Sequence, residues 1–210
     1  MRVLVACEES QAVTIEFRRL GHEAYSCDIQ TCSGGHPEWH IQADALELLK
    51  MRWDMIIAHP PCTYLTSSGA IRLFTSDHQI KDMERYEKGR QAAEFFLKIW
   101  GGACKRIAIE NPTPMKCFGL PKYSQIIEPY MYGDPWRKRT CIWLKGLPPL
   151  IAMYESPVEP KGLWVGSTSL RRDPTVKQRY ELPSNRDQKR RSKTFPGIAR
   201  AMAEQWGHLE

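Results

Sequence analysis

The sequence predicts an α/β protein built on a mainly parallel β-sheet flanked by helices. Three observations carry that prediction. Short apolar runs such as residues 3–6 and 54–58 have the length and composition of strands buried on both faces. Longer segments with helical spacing, such as 11–20 and 77–100, alternate with them. Polar or proline-bearing turns come after the runs, as the crossover connections of a parallel sheet require.

Residues 3–6 read as a first buried strand. Residues 11–20 read as a helix with apolar points at Ala12, Ile15 and Leu20, capped by Ser10 and ended by Gly21. Residues 23–27 form a second strand followed by Asp28, and 44–50 a short helix. The strand at 54–58 runs into His59-Pro60-Pro61-Cys62. A long helix is expected over 77–100, capped by Ser76 or Asp77. Further strands are expected at 106–110, ahead of Asn111-Pro112, and at 139–144, and a last helix at 197–206. In sheets of this kind ligands bind at the carboxyl ends of the strands. Glu8, Glu9, Asp28, the Pro60-Pro61-Cys62 turn and Glu110-Asn111 should therefore share one rim.

The composition sets bounds on function. With 42% hydrophobic and 26% charged residues in 210, the chain can build a core, and no apolar run reaches the ~20 residues of a spanning helix. The start MRVLVACEES reads as a buried strand rather than a signal peptide, so a cytoplasmic location is expected. The seven cysteines have scattered spacing, with no CxxC and no zinc pattern, so reduced thiols and no metal are expected. Residues 161–200 hold eleven Lys and Arg against three Asp and Glu, a charge of +8, which leaves −2 for the rest of a chain whose total is +6. Such a block suits a polyanion, or else a solvated surface loop.

Three short motifs carry chemistry. Two prolines after a buried strand stiffen the turn that presents Cys62, which is either a nucleophile or a small residue filling a tight turn. Glu110-Asn111 comes after another buried strand, so a carboxylate lies near the same rim, unless it only caps a helix. Arg137 and Arg139, at i and i+2 of the next strand, share a face and can contact one carboxylate, phosphate or base together.

In order and spacing these motifs resemble the cytosine carbon-5 DNA methyltransferase family. Pro61-Cys62 resembles its Pro-Cys nucleophile motif, with Ser68-Gly69 where that motif continues. Glu110-Asn111 resembles its Glu-Asn motif, and Arg137 and Arg139 its Arg-x-Arg motif. Asp28 matches the acid that holds the cofactor ribose, and Asp44 the acid near the adenine. Residues 195–199 look like the C-terminal motif that packs back beside the cofactor. The likeness spans 3–144 and the last helix, and is nearest the short, often phage-borne members.

The resemblance implies a Rossmann-like class I methyltransferase fold and S-adenosylmethionine as methyl donor. It implies DNA, single- or double-stranded, as partner, with no membrane. Residues 1–145 would form the catalytic core, 146–193 a short basic region in place of a target-recognition domain, and 194–210 a helix packing back on the core. The implied catalytic residues are Cys62, Glu110, Arg137 and Arg139. Cofactor contacts fall to Ala6, Cys7, Glu8, Asp28, Ile29, Asp44, Ala45 and Pro61. Substrate contacts fall to Pro60, Thr66, Ser68, Asn111, Arg171, Arg172, Lys189 and Arg190. Cys62 would attack carbon 6 of a flipped-out cytosine while Glu110, its pKa raised by burial, serves ring nitrogen 3.

The sequence departs from the family in three places. Residues 6–11 contain no glycine where the family has a Gly-rich turn, which restricts positive φ and leaves the helix N-terminus to offer amides. Thr66 stands where Ser is usual. Only about fifty residues, with Trp164 and Tyr180 available for stacking, replace the large recognition region, so short or relaxed sequence preference is expected. The alternatives are an exocyclic-amine methyltransferase, an RNA cytosine methyltransferase, and an inactive nucleic-acid-binding relative.

Overall fold

Alternate residues of the strands point to opposite faces, and in this chain both sets are apolar, so the sheet must be covered on both sides. Val3, Val5, Met55, Ile57 and Ala108 enter one core with Val13 and Phe17. Leu4, Ala6, Ile56, Ala58, Ile107 and Ile109 enter a second with Phe96 and Ile99. The computed structural model describes residues 1–134, 136–153, 163–164, 179–180 and 192–209.

Seven strands form one sheet: β1 (Arg2–Ala6), β2 (Glu23–Asp28), β3 (His40–Gln42), β4 (Met55–Ala58), β5 (Ile107–Asn111), β6 (Gln125–Ile127) and β7 (Thr140–Lys145). Their order is β3-β2-β1-β4-β5-β7-β6. The five from β3 to β5 are parallel, and β7 runs antiparallel between β5 and β6. A two-residue parallel pair, β8 (Leu163–Trp164) and β9 (Arg179–Tyr180), lies apart from it. The helices are α1 (Ala12–Arg19), α2 (Ala45–Leu48), α3 (Ala70–Leu73), α4 (Met83–Trp100) and α5 (Pro196–Trp206). Helices α1 and α5 cover one face, and α2 and α4 the other. This is a Rossmann-like α/β fold. The chain winds outward from β1 to β3, then restarts at β4 on the other side of β1, so the crevice lies between the ends of β1 and β4. Among the described residues no helix is long and apolar enough to cross a membrane.

Four details differ from the sequence expectation. The long helix starts at Met83, not at 77, because Thr75 and Gln79 close a turn containing His78 at φ 63, and Asp82 caps the helix through the Arg85 amide at 2.8 Å. Ser10 does not cap α1. The cap position is Gln11, at φ 58, and Glu8 supplies the capping carboxylate. The short strands β3 and β6 were not expected. Arg139 lies ahead of the last strand, which begins at Thr140.

Candidate active site

Strands β1, β4 and β5 finish side by side, and the turns at their carboxyl ends form the site. The His59 amide donates to the Ala6 carbonyl at 2.9 Å, which carries the β1–β4 pairing one step past the strand. Pro60 is then buried, Pro61 exposed and Cys62 half-buried. Asn111, 1% exposed at the end of β5, donates from Nδ2 to the Pro60 carbonyl at 2.9 Å. The amides of Leu65 and Thr66 both donate to the Cys62 carbonyl at 3.0 Å, closing a turn around the cysteine.

The next residues zip the cysteine loop to the segment after β5. Ser67 N–H donates to the Thr113 carbonyl at 2.8 Å and Met115 N–H to the Leu65 carbonyl at 2.7 Å. Thr66 accepts from the Ser68 amide and lies 3.1 Å from its hydroxyl, capping a short 3₁₀ turn. From α4, Arg85 donates to the Thr63 carbonyl at 3.0 Å and stacks over Tyr64. Cys62 is thus presented by a loop fastened on both sides, two residues from a carbonyl bound to β5. Two residues span at most about 7 Å.

Glu110 is the carboxylate of that strand end, and His59 Nδ1 lies 3.5 Å from its Oε2, with the two side chains 9% and 16% exposed. Burial raises the Glu110 carboxyl, but the hydrogen bond from His59, the charges of Lys138 and His59 and the Thr140 hydroxyl outweigh it. The net position is below the ordinary carboxylate range. This corrects the expectation from burial alone, because the hydrogen bond from His59, the Lys138 charge and the Thr140 hydroxyl together favour the charged form more than burial disfavours it. His59, to which the sequence reading gave no role, is the signal it missed.

The arginine pair is placed differently from expectation. Both residues precede β7. Arg137 lies over the Tyr130 ring at 5.7 Å, and Arg139 is exposed, with its charge acting on Cys141. The cation acting on Glu110 is Lys138 between them. It also lies 5.8 Å from the Phe195 ring, ahead of α5.

The rim beside β1 and β2 is acidic. Glu8, 3% exposed, accepts from the Val13 amide at 2.7 Å and from the Thr14 hydroxyl at 2.8 Å and amide at 3.3 Å. Burial pushes its carboxyl up, against the charge of His59 and these donors. The α1 amides expected to be open to a ligand are therefore taken by Glu8. Cys7 and Gln11 adopt φ 59 and 58, so the glycine-free turn keeps the backbone form that glycine favours. Burial, with Asp28, Cys27 and Asp44 nearby, pushes the Cys7 thiol far up. Asp28 accepts from the Gln30 amide at 2.9 Å, and Asp44 caps α2 through the Leu46 amide. Ile29 is 74% exposed beside Asp28, whereas Ala6 and Ala45 are core residues that can offer only backbone. This rim suits a cationic ligand with an apolar part. Asp28 ends β2 next to the end of β1, the carboxylates favour positive charge, and Ile29 offers apolar surface.

Arg171, Arg172, Lys189 and Arg190 fall outside the described residues, as does most of the expected 146–193 region. Trp39 stacks on His36 at 3.9 Å under the loop after β2. Among the described residues no group of three or more His, Cys, Asp or Glu is arranged to hold a metal ion.

No family model and no curated protein matches this chain. Among the solved structures that align with part of it are two methyltransferases. One is described as a DNA modification methyltransferase encoded within a prophage (E. coli), at 14% identity and a TM-score of 0.40, covering 68% of this chain and 45% of that one. The other is the methyltransferase EhMeth of Entamoeba histolytica, at 14% identity and a TM-score of 0.49, covering 73% and 57%. The chain spans about half the length of these solved proteins.

Proposed function

We propose that this chain is an S-adenosylmethionine-dependent methyltransferase acting on carbon 5 of cytosine in DNA, with Cys62 as nucleophile and short or relaxed sequence preference. The observation that carries this reading is the fastening of the cysteine turn to the Glu110 strand end through Asn111 and Pro60. It holds a thiol and an acid at one strand junction, as addition to a pyrimidine ring requires.

When bound, S-adenosylmethionine supplies an electrophilic methyl group on a sulfonium. Asp28 would hold its ribose, Asp44 and Ile29 would border its adenine, and Glu9 would set a negative field for its cations, while Glu8, its oxygens taken by Val13 and Thr14, would shape the turn beside them. Cys62 as thiolate bonds to carbon 6 of a base taken out of its stack. Glu110 forms the hydrogen bond to ring nitrogen 3 that offsets the negative charge spreading into the ring, which makes carbon 5 nucleophilic. Because Glu110 is ionised in the free protein at neutral pH, the proton it shares with nitrogen 3 is taken up as the base binds. Loss of the carbon-5 proton and of Cys62 restores the ring.

The experiment for this reading is adduct trapping on an oligonucleotide containing 5-fluorocytosine. Fluorine at carbon 5 cannot leave as a proton, so the Cys62 bond persists. A denaturation-resistant protein–DNA adduct that requires S-adenosylmethionine and disappears in Cys62→Ala is expected. Equal adduct in Cys62→Ala would rule out this nucleophile.

A further inference from the structure

His59 has no role in the reaction as written, yet it occupies the centre of the strand junction. Its ring is 9% exposed, Nδ1 faces Glu110 Oε2 at 3.5 Å, and buried Nε2 has no hydrogen-bond partner among the described residues. On the β1 side the His59 amide donates to the carbonyl of Ala6, two residues before buried Glu8. On the β7 side Lys138 and Thr140 approach Glu110. Residue 59 is therefore bound through its backbone to the end of β1, next to the turn that holds Glu8, and through its ring to the proposed catalytic acid.

His59 is tied to the nucleophile by the chain itself. It precedes Cys62 by three residues, with Pro60 and Pro61 removing backbone freedom between them. Thr140 has a single hydroxyl proton and a competing acceptor in the Lys138 carbonyl at 3.0 Å. Lys138 is a flexible point charge that also lies near the Phe195 ring. Beside the Asn111–Pro60 hydrogen bond, which ties the strand end to the turn, the imidazole gives the carboxylate itself a short, rigid path to the cysteine.

We propose that His59 is a positioning residue: through Nδ1–H it holds Glu110 in register with the Cys62 turn, so that acid and nucleophile keep one geometry. The proposal rests on the cytosine reading for its kinetic consequence only. A carboxylate partner requires a hydrogen on Nδ1, which the imidazole carries both in that tautomer and as the imidazolium. An asparagine amide at position 59 reaches about where Nδ1 lies, a glutamine amide overshoots it, and leucine offers no donor.

The test uses the full chain with His59→Asn, His59→Gln and His59→Leu. Two quantities are read: the carbon-13 carboxyl titration of Glu110, assigned with Glu110→Gln, and the kcat and KM of methyl transfer. The charged or titratable groups facing the pair are Glu8, Lys138 and Cys141, unchanged in every variant. His59→Leu should raise the Glu110 titration midpoint and lower kcat roughly 100-fold, the scale of a misplaced reacting group, with KM nearly unchanged. His59→Asn should restore most of both, and His59→Gln neither. If leucine does not fold, the Asn and Gln pair makes the same comparison. Wild-type titration and kcat in the Leu or Gln variant would overturn the proposal. So would equal kcat losses in Asn and Gln with Glu110 unmoved, the mark of a purely structural role. If the wild-type protein transfers no methyl group, the functional reading fails, and the Glu110 titrations alone decide the positioning role.

Discussion

At the scale of single residues, two carboxylates at one junction, Glu8 buried and Glu110 partly so, are pushed in opposite directions. Glu8 is raised by burial, while Glu110 is lowered by His59 and Lys138 despite burial. Linkage sets the sign for stability. A carboxyl lowered by folding stabilises the protein above its unfolded value of about 4.3, and that contribution is lost as pH falls through the folded value. A raised carboxyl such as Glu8 has the opposite slope and persists in Glu110→Gln. The stability gap between wild type and Glu110→Gln should therefore shrink on acidification below about pH 4.3. Urea unfolding of both proteins between pH 3 and 7 measures it. A gap independent of pH would mean that Glu110 is not held below its ordinary range.

At the scale of elements, α5 has to approach the segment after β6 very closely. A Cβ on Gly197 would meet the Tyr132 carbonyl oxygen at 2.0 Å, and the Gly197 amide donates to Asp134 at 2.8 Å. Gly197→Ala should cost about 1–3 kcal/mol as the helix shifts outward, read as a lower thermal midpoint. An unchanged midpoint would show that α5 is not docked this closely. The apolar runs and the turns after them made β1, β2, β4 and β5 legible, and with them the convergence of their ends. Strands β3 and β6 were not, since three residues carry no period-2 signal. The start of α4 was hidden because residues 77–82 are as polar as a first helical turn. His59 and Lys138 were illegible for a different reason. Which face a side chain joins depends on where its strand ends, and a shift of one residue exchanges Arg139 for Lys138. The Glu8 cap needs a left-handed Gln11, which no local pattern announces.

At the scale of the whole molecule, charge is divided along the chain. The rim at the strand ends is acidic, and residues 161–200 carry the +8 block. That division suits a cationic cofactor at the sheet and a polyanion on the block. Changing Arg171, Arg172, Lys189 and Arg190 together to Gln should weaken DNA binding and reduce the slope of log affinity against log salt. If all four meet phosphates, the reduction is up to about 3.6 units on duplex DNA and about 2.8 on single strands. S-Adenosylmethionine binding by calorimetry should not change. An unaltered salt slope would place the DNA contacts elsewhere.

The most direct measurement of the central claim is mass spectrometry of nucleosides from single- and double-stranded DNA incubated with the protein and S-adenosylmethionine. Cys62→Ala serves as the control. The account requires 5-methylcytosine with wild type and none with Cys62→Ala, with product on many sequence contexts rather than on one long palindrome. Methylation of the exocyclic amine, 5-methylcytosine from Cys62→Ala, or no methylated base on either substrate would contradict it.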